Sequence, residues 1–324
     1  MNRRFVRALS RTVDNAVLLA LLVILFIATY ALYDTTRVNE EADPAKYSTY
    51  KPTTEEGQKS FEELRAMNPD VMGWLTIYGT SIDYPIVKAQ KDNFEYLSKD
   101  VEKNWTTCGA LYVDVHNQWN FQDFNTIIHG HHMADHKMFG DLDLFTKADY
   151  FNEHQYANLY FDGANHGLEI FAILTIDAYD PIAATPNIQE KDTQQELLNS
   201  ILSKRVQGRN VQVSTDDHII IMTTCNLGET NGRYTLVAKL LDHEVANPFP
   251  EEEEETRTGT GRLDVFNVLN KFAEFTIWQW ILFLILAIIL IYLLYKLERR
   301  RLLKKKEKRL ANEQTKQQPH KEDA

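Results

Sequence analysis

Chemistry in this sequence starts with two cysteines, Cys108 and Cys225. Cys225 ends the apolar run IIIMTTC, and the loop that follows carries Asn226, Gly228, Asn231 and Gly232 before Arg233 opens another apolar-alternating run. A strand end is a good seat for a nucleophile, because the strand fixes the side chain and the loop gives access. If the loop closes a hairpin, Arg233 lies beside the sulfur, where a guanidinium can stabilise a thiolate, orient a carbonyl or neutralise an oxyanion. Upstream, His129, His131, His132 and His136 fall within eight residues. One of them paired with Cys225 across space would give a thiolate–imidazolium couple, the nucleophilic form of cysteine. The same cluster also admits a zinc reading, and a cysteine by itself is most often a small buried hydrophobe. An external disulfide between the two cysteines is a further option.

These groups need elements to hold them. From Val71 the sequence turns to short β-runs: WLTIYG, SIDYPIV, GALYVD, FNTIIHG, ANLYFDG, LEIFAILTIDAY, HIIIMTTC and RYTLVAKLL. Each is bounded by turn-forming residues. Eight strands in so short a span predict a closed barrel, which leaves no exposed edge. Residues 189–205 break the pattern, and Leu197, Leu198, Ile201 and Leu202 fall at helical spacing, so an amphipathic helix is expected between two strands. Phe61 to Met67 reads as a short helix that stops before Asn68-Pro69. Residues 34–60 read as a polar linker, with Asp43-Pro44 followed by Ala45.

Charge organises the ends. The net charge is −11, yet residues 1–15 carry +3 and residues 296–324 carry +6, which leaves −20 for the segment between. That acidity argues against nucleic acid as the main partner. Ala16–Tyr33 is 18 residues without a charge and Phe275–Tyr295 is 21. Each is long enough to cross a bilayer, and Trp278, Trp280, Tyr292 and Tyr295 suit the interfaces. The basic flanks place both termini in the cytoplasm and the intervening segment outside. The expected division is a basic N-terminus 1–15, a span 16–33, a linker 34–60, a catalytic domain 61–245, an acidic linker 246–274, a second span 275–295 and a basic tail 296–324. No A-x-A site follows the first span, so it reads as an uncleaved anchor.

Several motifs together resemble one family. Thr223-Thr224-Cys225 with Arg233 on the next strand is similar to the T-x-T-C…R signature of sortases. NTIIHGHHMADHKMFGDLDLF, residues 125–145, resembles the sortase G-H-x-M motif and its M-F-G-x-L continuation. DVMGWLTIYGTSIDYPIVKAQKDNFEYL, residues 70–97, is similar to the start of a class B core, and GALYVD at 109–114 also fits. The likeness covers about residues 61–242, in family order. It implies a mainly β fold, a closed eight-stranded sortase-type barrel with short N-terminal helices and an inserted helix, flanked here by two transmembrane helices. Carried over by position, it implies Cys225 as nucleophile, His131 as the catalytic histidine, Arg233 as the arginine, and Thr223 and Thr224 at the substrate groove. His129 stands where class B chains carry Tyr, and Asn226 where they often carry an acid. The second span resembles pilin-polymerising sortases, but Ala45 lacks the aromatic of their Asp-Pro-aromatic lid, so no lid is expected.

The activity implied is a cysteine transpeptidase that cuts a C-terminal sorting signal, N-P-x-T-N-like in class B, through a thioester and passes the acyl group to an amine. That amine is a peptidoglycan precursor or a pilin lysine. No cofactor is implied. Two rivals stand beside it: a membrane-anchored zinc hydrolase built on His129–His136, whose spacing imperfectly resembles the H-x-H-x-D-H motif of metallo-β-lactamases, and a non-enzymatic surface assembly protein.

Overall fold

In the computed structural model, residues 3–52, 55–226, 228–249, 287, 291, 292 and 294–303 are described. The chain divides into two units, Met1–Asp34 with Arg257–Ala324, and Thr35–Thr256. In the first, helix α1 (Arg3–Glu41) begins and carries the apolar run. It is long and apolar enough to cross a membrane, and Leu19, Ile24, Phe26 and Ile27 are exposed along it. Most of the expected second span and all of the acidic stretch 250–274 lie outside the described residues.

The second unit is the barrel. Its strands are β1 (Val71–Ile77), β2 (Asp83–Val87), β3 (Leu111–Val113), β4 (Asn125–His129), β5 (Tyr156–Phe161), β6 (Ala164–Asp177), β7 (Arg205–Gly208), β8 (Ile219–Cys225) and β9 (Gly232–Leu240). They pair in the order β5-β1-β2-β3-β4-β8-β9-β6-β7, and β5 also pairs with β6. Eight strands thus close on themselves, and β7 is appended to β6. Among the described residues four further α-helices complete the unit: α2 (Glu55–Met67), α3 (Ala148–Glu153), α4 (Pro181–Ala184) and α5 (Lys191–Lys204). All eight expected strands form. β7 is extra: RVQG has no apolar alternation, and it exists because Ala172–Leu174 of β6 offer it a ladder. The inserted helix runs Lys191–Lys204 and buries Leu197, Leu198 and Ile201, while Leu202 stays exposed.

Strand alternation sorts the side chains into two cores. Ile128, Ile220, Met222, Leu236 and Ala238 pack in one, with Trp74 and Leu75. Ile127, Ile219, Ile221, Val237 and Leu174 pack in the other, with Leu197, Leu198 and Ile201 of α5 and Ile182 of α4. β8 is therefore covered on both faces, which is why it reads as an unbroken apolar run. Thr223 and Cys225 continue the face of Ile219 and Ile221, past the helical layer.

The segment read as a linker is partly folded onto the barrel. α1 continues to Glu41, and Pro44–Tyr50 forms a 3-10 turn capped by Asp43, whose side chain accepts from the Ala45 amide at 2.9 Å. Ala42 and Tyr47 are buried. At the other end, packing passes residue 245: Tyr78 Oη donates to Val245 O at 2.9 Å, and the Phe249 ring stacks on His154 with centroids 4.8 Å apart.

Candidate active site

Cys225 and Arg233 face each other as a register pair of the antiparallel β8–β9 ladder. Arg233 Nη1 donates to Cys225 Sγ at 2.8 Å, and both residues are half-buried. The hairpin anticipated from the sequence exists, and the guanidinium sits against the sulfur. Such a contact puts a fixed positive charge where negative charge on sulfur would lie.

β4 runs parallel to β8, in register from Asn125↔Ile219 to His129↔Thr223, and Gly130 N continues the ladder to Thr223 O at 3.2 Å. His131 and Cys225 each stand two residues past the last register pair, at the same end of neighbouring strands. Parallel pairing thus brings together groups 94 residues apart in sequence. The His131 ring is held by Leu97, whose carbonyl lies 2.8 Å from Nε2. A carbonyl only accepts, so Nε2 carries the hydrogen and Nδ1 is the nitrogen free to exchange a proton.

Thr223 shares the face of Cys225, but its hydroxyl is buried and 3.3 Å from that of Thr235. Thr224 alternates to the opposite face and is also buried, its hydroxyl without a partner. Neither threonine offers an exposed hydroxyl at the sulfur. Cys108, the other cysteine, is fully buried; its Sγ lies 3.2 Å from Val38 O, and both cysteines are free thiols, not a disulfide.

The four clustered histidines diverge. His129 Nε2 lies 3.5 Å from Asp114, His131 turns to Leu97, His132 is 3.4 Å from Asp143, and His136 is 2.7 Å from Asp141. The four imidazoles face four different acceptors. Among the described residues no group of three or more His, Cys, Asp or Glu side chains is placed to hold a metal ion.

Sequence reasoning passes over two neighbours, Tyr112 and Asp114 of the run GALYVD. Tyr112 pairs with His129 across β3–β4, and their rings stack with centroids 5.1 Å apart. Burial and the Asp114 charge push the Tyr112 hydroxyl up to about 12, with Arg233 opposing and Cys225 adding. Asp114 is buried, which alone would raise its pKa. His129, the His116 amide and the Asn93 side chain overcome that and hold it well below the usual carboxylate range. Its stabilising contribution is therefore present above its unfolded pKa of about 3.9 and is lost as pH falls toward the depressed folded value. Asp114→Asn is expected to lower the melting temperature at pH 7 by roughly 5 °C, with the gap to the parent chain closing progressively below about pH 4. Thermal melts at pH 7, 4 and 2.5 check this; a gap independent of pH would refute the ionic account.

No family model matches the chain. Comparison with characterised proteins is decisive: sortase B of Listeria monocytogenes is 33% identical over 190 residues, covering 57% of this chain and 76% of that protein. The chain belongs to the sortase B family. Sortase B of Staphylococcus aureus is 28% identical over 232 residues, 69% of this chain and 94% of that protein. Among solved structures, a Streptococcus pyogenes class B sortase involved in pilus biogenesis is 35% identical, with a TM-score of 0.51, over 56% of this chain and 97% of that one. Sortase B of Clostridium perfringens is 29% identical with a TM-score of 0.53, over 56% of this chain and all of that one. As a class B sortase, the protein is a cysteine transpeptidase on the closed eight-stranded barrel of that fold.

Proposed function

We propose that Cys225, His131 and Arg233 carry the transpeptidation, and that the substrate is the C-terminal sorting signal of a membrane-held surface protein or pilin. The observation that supports this best is the Arg233–Cys225 contact of 2.8 Å at the strand ends where His131 also lies. The sulfur attacks the carbonyl carbon of the signal's Thr, forming a C–S bond while the carbonyl π pair moves to oxygen. Arg233 stabilises the charge that develops. As the tetrahedral adduct collapses the C–N bond breaks, and protonated His131 gives its Nδ1 proton to the departing amine. The thioester is then attacked by an acceptor amine, a peptidoglycan precursor or a pilin lysine. His131 takes the proton of that amine, the C–S bond breaks, and the sulfur recovers its electron pair.

Thr223 is assigned to the floor of the groove beside Cys225, and no role in substrate contact is assigned to Thr224. The membrane topology belongs to the same proposal: two spans, 16–33 and 275–295, with both termini cytoplasmic and the barrel outside. An enzyme held at the membrane meets membrane-held substrates at raised effective concentration. The involvement of the S. pyogenes relative in pilus biogenesis favours a pilin among the substrates.

The test is intact-mass analysis of the full chain in detergent micelles after incubation with a pool of Asn-Pro-x-Thr-x peptides. A single acyl adduct on Cys225, released by added amine, is expected, and its mass identifies the peptide. No adduct with any peptide, together with chelator-sensitive hydrolysis, would move the chemistry to the histidine cluster.

A further inference from the structure

The backbone after His131 is tied to an element that takes no part in the chemistry. His131 O accepts from the Phe139 amide at 2.9 Å, and His132 and Met138 form a β-bridge, so residues 131–139 make one closed loop. Three of its non-glycine residues, Asp135, His136 and Met138, have φ of 52°, 62° and 55°. Left-handed backbone at such residues persists only where the surroundings impose it.

Two supports hold this loop: the barrel, where Ser81 Oγ donates to His136 O and His136 pairs with Asp141 at 2.7 Å, and the N-terminal arm, residues 38–43. Asn39 Nδ2 donates to Asp135 Oδ2 at 2.7 Å. Lys137 is paired with Asp43. The buried hydroxyl of Tyr84 joins the two segments, donating to Ala42 O at 2.8 Å and accepting from the Met138 amide at 3.0 Å. The arm itself is pinned elsewhere on the barrel, where Thr106 Oγ1 donates to Glu41 at 2.7 Å and Cys108 Sγ meets Val38 O, and the turn that follows it is held by Lys46 pairing with Asp100 at 2.8 Å. The Lys137–Asp43 and Asn39–Asp135 contacts are partly exposed and weak as stabilisers taken singly. Their common feature is geometric, since both converge on one strained loop from one arm.

We infer that the arm 38–43 is a clasp for the His131 loop, with Asn39 and Lys137 as positioning residues that set where the imidazole stands relative to Cys225. The inference rests on the assignment of His131 as the proton-transfer group. It gives the segment joining α1 to the barrel a positioning role beyond that of a tether.

The test compares four full-length variants in detergent micelles: Asn39→Ala/Lys137→Met, Lys137→Arg, His131→Ala and the parent. The readouts are steady-state kinetics on the acylating peptide found above, thermal melting, and the Cε1–H NMR signal of His131 in chains labelled at histidine. Expected for Asn39→Ala/Lys137→Met is a kcat at least tenfold lower with KM within twofold, a shifted or broadened His131 signal, and a melting temperature within a few degrees of the parent. Lys137→Arg, which keeps the cation, should retain most of the parental kcat, and His131→Ala should abolish turnover. If His131→Ala abolishes turnover while the double variant keeps parental kcat, or raises only KM, the clasp is overturned and the assignment of His131 stands. If His131→Ala itself turns over normally, that assignment fails and the clasp fails with it.

Discussion

Replacing Cys225 by alanine is expected to reduce transpeptidation by on the order of 10⁴-fold or more, because loss of the nucleophile removes the covalent route entirely. The fold should survive. Cys225 is the last residue of β8, half-buried, and its ladder to Arg233 is made by backbone atoms that alanine keeps. The only side-chain hydrogen bond described at its sulfur comes from Arg233 Nη1. Cys108 offers no substitute, because it is fully buried against Val38, and burial pushes its thiol pKa up, away from the thiolate form. Steady-state assays, with circular dichroism as a check on folding, measure this directly. A variant with a tenth or more of parental activity would transfer the chemistry elsewhere, and the zinc rival makes that forecast together with inactivation by chelator. The divergence of the four imidazoles toward Asp114, Leu97, Asp143 and Asp141 speaks against such a rival on geometric grounds.

The strands and the Cys225–Arg233 hairpin were legible because their signals are local. Apolar runs bounded by Asn, Gly and Asp define β8 and β9, and a seven-residue gap between Cys225 and Arg233 leaves little choice but to face them across a turn. His131 was reachable only through its motif, since its nearness to Cys225 depends on β4 and β8 lying side by side in parallel, a long-range choice that periodicity does not encode. The packed arm at 38–52 was hidden for a related reason. Its polar residues Asn39, Glu41, Asp43 and Lys46 look like a linker, yet each makes a specific bond to the barrel or caps the turn beside it. The face of Thr224 was obscured by the same two-sided burial that makes IIIM unbroken: with both faces apolar, no alternation marks which threonine lies beside the sulfur.

Arg233 supplies the second large effect, and its size separates two roles. If the guanidinium only holds charge near the sulfur, any cation at that place would serve, and Arg233→Lys should stay within about threefold of the parent. If it also stabilises the oxyanion, the planar fork matters, because the three donors of an ammonium share one nitrogen, whereas a guanidinium spreads five N–H donors over a fixed plane and can meet Sγ and a developing oxygen from different nitrogens. The geometry favours the second role. Nη1 is engaged with Sγ at 2.8 Å and with Gly232 O at 3.5 Å, and no bond is described to the other guanidinium nitrogens. The expected order is a loss of about tenfold in kcat/KM for Arg233→Lys and of roughly 10²–10³-fold for Arg233→Ala, the usual cost of removing an oxyanion donor. The loss should sit in the acylation rate measured in a single turnover, with KM little changed, because the interaction is made in the transition state rather than in the bound peptide. An Arg233→Ala variant that acylates within threefold of the parent would reduce the 2.8 Å contact to a structural one. A lysine variant as fast as the parent would leave the electrostatic role and remove the fork.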